Sequence, residues 1–240
     1  MVLSSFDVDL SGQNALVTGA GSGHGRAIAL ALAGSGASVS VSDINIERAE
    51  SLVEQIEAGG GRAIALHADV SNRFQAANMI EQTREAFGGL DILVNAAEVF
   101  HPEPLLGIDE WNWRRQLEVN ITGAFFCLQL AARVMADEGG GRIINLIATE
   151  ALHSTIPAGI GYLAGKAGLV AMTRQAAREL APQGIRVNGI AAGQNKEDWS
   201  LPPEADLDIY EGPADIGGAA LFLCSEAARS VSGQVLVIQG

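Results

Sequence analysis

Aromatic residues make up only 5% of this 240-residue chain, which also holds just two cysteines, two lysines and seven prolines. Cys127 and Cys224 each stand among apolar residues, with no second thiol or histidine at metal-ligand spacing. A disulfide framework and a zinc site are therefore unsupported, and buried free thiols are expected. Positive charge is scarce: 15 basic residues against 28 acidic ones give a net charge of −13. Such a field repels phosphate backbones and anionic lipid heads, so neither nucleic acid nor a membrane surface is an expected partner. A run of about 18 apolar residues, the length of a membrane-spanning helix, is missing. The start, Met1–Asp7, lacks the basic stretch and apolar core of a signal peptide. A soluble, cytoplasmic protein is the expectation. With 48% hydrophobic residues and 29 unperiodic glycines, disorder and collagen-like repeats are ruled out.

What the chain does have is alternation. Short β-branched or apolar runs near Asn14–Thr18, Ser38–Asp43, Ala63–His67, Leu90–Asn95, Arg142–Leu146, Arg186–Ile190 and Val235–Ile238 read as strands. Helical periodicity fills the intervals near His24–Ala33, Ile46–Ala58, Arg73–Phe87, Glu110–Ala136, Tyr162–Leu180 and Ala214–Cys224. Strands such as Ile92-Leu93-Val94 are apolar on both faces, which requires helices on both sides of the sheet. The expected fold class is α/β, a single doubly wound domain over residues 1–240 with a seven-stranded parallel sheet. The acidic, proline-bearing segment Gln194–Pro213 breaks the rhythm and reads as a loop or short lid.

Between the first strand and first helix lies Thr18-Gly19-Ala20-Gly21-Ser22-Gly23-His24-Gly25. Glycines there let backbone N–H groups approach a pyrophosphate, which the positive end of the following helix also favours. Gly19, Ser22, Gly23, His24 and Gly25 are the candidate phosphate contacts. Asp43 ends the second strand 24 residues after Gly19, where a carboxylate can bind ribose hydroxyls and repel a 2′-phosphate. Its neighbours Ser42, Ile44 and Asn45 supply no cation, which favours NAD over NADP. Taken alone, Asp43 is equally suited to cap the helix that begins near Ile46, and Asp69-Val70 to form the turn that leads into the next helix.

Farther along, Tyr162-Leu163-Ala164-Gly165-Lys166 puts a phenol and an ammonium four residues apart, on one helical face. A cation beside a phenol favours the phenolate and suits the group to exchange a proton. Taken alone, Tyr-x-x-x-Lys is also what a solvated helix face would show by chance.

These motifs together resemble the short-chain dehydrogenase/reductase family, in its 3-oxoacyl-ACP reductase-like form, from Leu10 to Gly240. The resemblance implies a Rossmann fold and hydride transfer between NAD and a small carbonyl/alcohol substrate. It makes Tyr162 the general acid/base and gives Lys166 a second role on the nicotinamide ribose. Asn120 becomes the anchor of a relay water, although an asparagine holding backbone in shape fits the same position. Asp69 and Val70 fall at the adenine, with Ile44 beside Asp43 as a further cofactor contact, and Asn95 props the central strand. The closing Ser232–Gly240 stretch is similar to a terminal strand that builds a homo-oligomer, a tetramer or dimer, in many members. There are departures. The catalytic serine position falls on Thr149 counted thirteen residues back from Tyr162, and on Ala148 counted forward from Asn145. Ser154 and His153 follow on the next loop. Asn95-Ala96-Ala97-Glu98 carries a charge where the family has glycine, Ala192-Gly193 replaces Pro-Gly, Asn195 and Glu197 replace an apolar residue and a threonine, and His24 replaces an isoleucine. The alternative expectation is a catalytically impaired nucleotide-binding subunit that pairs with an active homologue.

Overall fold

The computed structural model describes residues 8–193 and 214–238. Seven parallel strands lie in the order β3-β2-β1-β4-β5-β6-β7: β1 Asn14–Thr18, β2 Ser38–Asp43, β3 Arg62–His67, β4 Ile92–Asn95, β5 Gly141–Ala148, β6 Ile185–Ala192 and β7 Val235–Ile238. Alternate residues of each strand feed two cores. Val17, Val39, Val94 and Ile144 pack under helices α1 (Gly23–Gly34), α2 (Ile46–Ala58) and α8 (Ala214–Cys224). Leu16, Leu93, Ile143 and Val187 pack under α3 (Arg73–Phe87), α5 (Ala124–Glu138) and α7 (Ile160–Leu180). The doubly wound expectation is met, because both faces of a parallel sheet must be covered. Both cysteines are buried and free, and burial pushes each thiol up to about 12.

Local sequence explains most boundaries. Asn45 caps α2 by accepting the Arg48 N–H, and Asn72 caps α3 through the N–H groups of Phe74 and Gln75. Helix α3 stops at Gly88, whose φ of +94° closes the last turn. Asp43 is thus not the cap of α2. Strands β5 and β6 run on to Ala148 and Ala192, beyond the periodic core, because their ends pair in register.

The helix expected over Glu110–Ala136 is not uniform. Helix α4 (Glu110–Leu117) passes into a π turn at Glu118–Gly123 and then into α5. Such widened turns gather at functional sites, and this one contains Asn120. By length and composition the 110–138 stretch is apolar enough to span a bilayer, but half of its most apolar window is buried inside the fold. A short helix α6 (Glu150–His153), not expected from periodicity, follows β5.

Candidate active site

Strand order reverses between β1 and β4, and ligands of open α/β sheets bind at such a switch point, beyond the carboxyl ends of the strands. A cleft of about 490 Å³ opens there. It is lined by Gly19, Ser22, Gly23, His24 and Gly25, then by Asp43, Ile44, Asp69 and Val70. The glycine turn is tight where it meets the sheet and open where it meets the cleft. A Cβ on Gly25 would stand 2.3 Å from the Gly19 carbonyl oxygen, and one on Gly19, whose φ is +62°, would stand 2.5 Å from Ala97 Cα. Gly23, with φ +52°, has nothing within 4 Å of its Cβ position. The first turn of α1 carries no acidic side chain. Exposed backbone at a helix N-terminus fits the pyrophosphate of a dinucleotide.

Asp43 ties this turn to the start of α2. Its Oδ2 accepts the Gly21 N–H at 2.9 Å and its Oδ1 the Asn45 N–H at 2.9 Å. Two cations that local sequence did not mark also reach the cleft. Arg48 lies across from Gly21, and Arg115 donates to Asp69 Oδ2 at 3.1 Å and to Ser71 Oγ at 2.8 Å. Burial alone would push the Asp69 carboxyl up, but hydrogen bonds from Ser71 and the Arg115 guanidinium outweigh it and hold Asp69 below the usual carboxylate range.

Tyr162 and Lys166 do not line this cleft but contact residues that do, Glu98 and, for Lys166, Leu146; they share one face of α7 and are 2% and 1% exposed. Lys166 Nζ lies 5.5 Å from the Tyr162 ring centroid and donates to the Leu146 carbonyl at 3.0 Å. Phe100 packs edge-on against the Tyr162 ring. The helix can approach this closely because of its glycines: a Cβ on Gly165 would stand 3.0 Å from Asn120 Cβ. Asn120 itself grips the chain after β4, accepting the Val99 N–H at 2.9 Å and donating to the Val99 carbonyl at 2.7 Å. Its amide thus holds backbone in shape. Asn95 donates to Asn145 Oδ1 at 2.9 Å, and Asn145 to Thr173 Oγ1 at 2.9 Å, a buried chain joining β4, β5 and α7.

Glu98 stands out in the sequence only as a departure, and the structure gives it partners. Its Oε2 accepts the Tyr162 hydroxyl at 2.9 Å and stands 2.6 Å from Lys166 Nζ. Loss of water around the carboxylate where it packs on its partners would raise it; the Lys166 charge, hydrogen bonds from Lys166 and Tyr162, and the nearby His24 together hold it below the usual range. Ala148 ends β5, and Thr149 opens α6 with Oγ1 buried and no protein partner among the described residues. The structure therefore does not join Thr149 to Tyr162 by a hydrogen bond. His153 and Ser154 are exposed, whereas His101, on the loop after β4, lines the cleft. Asn195, Glu197 and the rest of Gln194–Pro213 lie outside the described residues.

A doubly wound sheet with a glycine turn at its switch point and a buried Tyr-x-x-x-Lys pair defines an oxidoreductase of the nucleotide-binding α/β class. The chain belongs to the short-chain dehydrogenase family: the profile described as short chain dehydrogenase matches residues 13–200. It is 35% identical over 204 residues to the 3-oxoacyl-[acyl-carrier-protein] reductase FabG of Staphylococcus aureus strain Mu50, covering 81% of this chain and 82% of that one. It is 36% identical over 239 residues to the (2S)-[(R)-hydroxy(phenyl)methyl]succinyl-CoA dehydrogenase subunit BbsD of Thauera aromatica, covering 94% of each. Among solved structures, a 7α-hydroxysteroid dehydrogenase complexed with NADH and 7-oxo glycochenodeoxycholic acid superposes with a TM-score of 0.87 at 35% identity, covering 97% of this chain and 94% of that one. Members of this family are nicotinamide-dependent enzymes of carbonyl/alcohol redox chemistry.

Proposed function

We propose that the chain is an NAD(H)-linked oxidoreductase that interconverts a small-molecule carbonyl and a secondary alcohol, with Tyr162 moving the proton. The observation that carries this reading is the buried Tyr162–Lys166 pair beside a cleft lined by the glycine turn, Asp43 and Asp69. A bound nicotinamide would supply or accept the hydride. Gly19, Ser22, Gly23, His24 and Gly25 would hold the pyrophosphate, Asp43 and Ile44 the adenosine ribose, and Asp69 and Val70 the adenine. Tyr162 holds the proton to be exchanged, and Lys166 is the cation beside it. Thr149 takes the place of the serine: a buried hydroxyl without a protein partner among the described residues is available to a carbonyl oxygen. Asn120 and Asn95 keep the site in shape.

The preference for NAD rests on Asp43. Its carboxylate is fixed by two backbone N–H groups and lines the cleft, so a 2′-phosphate would meet a set negative charge. The NADH bound to the hydroxysteroid dehydrogenase relative agrees with that choice. Arg48 is the opposing charge on the same wall. A homo-oligomer, tetramer or dimer, belongs to the same reading, with two surfaces on offer: the edge strand β7, where Val237 is 41% exposed, and the Phe125 side of α5. A cytoplasmic location does too, on the two buried free thiols and the acidic charge.

One observation favours a second reading. Both proton-transfer groups are engaged by Glu98, and the Thauera relative is named as a subunit. A nucleotide-binding subunit with impaired chemistry, paired with an active homologue, would look like this. The test is calorimetric titration with NADH and NADPH, then a carbonyl-reduction screen on the same preparation. We expect NADH to bind more tightly than NADPH, and Tyr162→Phe to lower turnover by about 10²–10⁴-fold. Binding without turnover on any carbonyl class would favour the subunit. Binding of neither nucleotide would overturn the cofactor assignment.

A further inference from the structure

We propose that Glu98 is a positioning residue that acts as an internal ligand of the proton-transfer pair, competing for Tyr162 and Lys166 with the nicotinamide end of the cofactor and with the substrate oxygen. This rests on the redox reading above. Tyr162 has one hydroxyl proton, and in the structure it is donated to Glu98 Oε2 at 2.9 Å. While that bond stands, the phenol cannot donate to a carbonyl. The same oxygen lies 2.6 Å from Lys166 Nζ, whose second acceptor is the Leu146 carbonyl. A carbonyl that is to accept the Tyr162 proton must take the place of that oxygen, and displacing it disturbs both groups at once.

The surroundings decide how that oxygen can leave. Thr18 Oγ1 accepts the N–H groups of Ala96 and Ala97, and Asn120 holds both the N–H and the carbonyl of Val99. The backbone is therefore pinned on either side of position 98, and withdrawal of the loop is not the route. The Glu98 side chain, by contrast, lines the cleft and is 40% exposed, so rotation about its own bonds can carry the carboxylate away from Tyr162. Rotation separates an ion pair in which the lysine is almost fully buried, and a buried ammonium left without its carboxylate is costly. That cost falls on ligands that reach Tyr162 and Lys166 and spares those that occupy only the glycine turn, Asp43 and Asp69. The apparent affinity of a full dinucleotide is then lowered by the fraction of molecules in which Glu98 is turned away.

The experiment compares ADP, which spans only the adenosine side, with NADH by calorimetry on the full chain and on Glu98→Ala and Glu98→Gln. The glutamine variant keeps an acceptor of similar size, should the alanine variant fold poorly. The expected result is NADH affinity raised about tenfold relative to ADP affinity in Glu98→Ala and less in Glu98→Gln, the ratio cancelling any effect of the lost Glu98 charge on the diphosphate both ligands share. For a reducible carbonyl, KM should fall while kcat does not. An NADH-to-ADP affinity ratio unchanged in both variants overturns the proposal. A fall in kcat in both variants overturns it too, by making Glu98 a proton-transfer group, as does loss of ADP binding in a variant, which would make it a support of the cleft. If the unsubstituted chain binds neither ADP nor NADH, the redox reading itself fails and this inference with it.

Discussion

On the β1–β3 side of the cleft, Asp43 is held by two backbone N–H groups, and Asp69 by Ser71 and Arg115. On the β4–β6 side, Thr149 Oγ1 and Asn95 Oδ1 are buried without a partner among the described residues, and Glu98 has taken both Tyr162 and Lys166. The difference separates binding from chemistry. Where polar groups are already satisfied, a ligand can be received without rearrangement, and the wall is rigid because each carboxylate fixes a turn. Where they are not, hydrogen-bonding capacity is left over. A buried orphan hydroxyl is tolerated in a native fold when a ligand or water completes it. The Asp43 side therefore reads as preformed, and the Glu98 side as one with hydrogen-bonding capacity left to give.

Thr149 gives the largest expected effect with which to break this comparison. Thr149→Val keeps the shape and removes the hydroxyl. If that hydroxyl serves the substrate oxygen, kcat/KM for carbonyl reduction falls by about 10²–10³-fold, as for other donors to a developing oxyanion. Thermal stability should move the opposite way, because an unpaired buried hydroxyl costs about 1–3 kcal/mol. Thr149→Ser should keep the activity. A higher melting temperature in Thr149→Val with no loss of rate would leave the hydroxyl idle. Next in size is Gly25→Ala on the Asp43 side. The added methyl would lie 2.3 Å from the Gly19 carbonyl oxygen, with only backbone around it, so α1 must shift away from β1. A loss of about 1–3 kcal/mol in denaturant unfolding is expected, together with weaker ADP binding. An unchanged unfolding midpoint would show that the approach of α1 to the sheet is less tight than these distances imply.

The same asymmetry governs how much of the molecule is legible in its sequence. Strands such as Ile92-Leu93-Val94 are local signals, and the sheet and helices fall within a few residues of where periodicity puts them, although the cap of α2 is Asn45 and not Asp43. The glycine turn and Tyr162–Lys166 are legible because their chemistry depends on spacing along one element. The π turn at Asn120 is not. It is fixed by contact with the glycines of α7 and by the bond to Val99, both distant in sequence or outside the helix. Glu98 is visible as a charge in an unusual place, but its target is not. It reaches Tyr162 and Lys166 only because β4 delivers it to the end of β5 and α7. Arg48 and Arg115 escape notice for the same reason: nothing in a helical repeat says which arginine faces a cleft formed by other elements.

Arg48 bears on the smallest expected effect, which sharpens the comparison from its satisfied side. Asp43 has two tasks, and they separate under substitution. Asp43→Asn keeps an acceptor for one of the two backbone N–H groups and removes the negative charge. If Asp43 only stabilised the turn, the variant would lose affinity for NADH and NADPH equally. If its charge also selects the cofactor, the ratio of NADPH to NADH affinity should rise by about tenfold, since one repulsive contact is removed while Arg48 remains to attract the 2′-phosphate. Calorimetry with both nucleotides on Asp43→Asn and on Arg48→Gln distinguishes the two. Arg48→Gln should lower that ratio. Equal changes for both nucleotides in both variants would remove the selection of NAD from this wall of the cleft and leave Asp43 as a brace for the glycine turn.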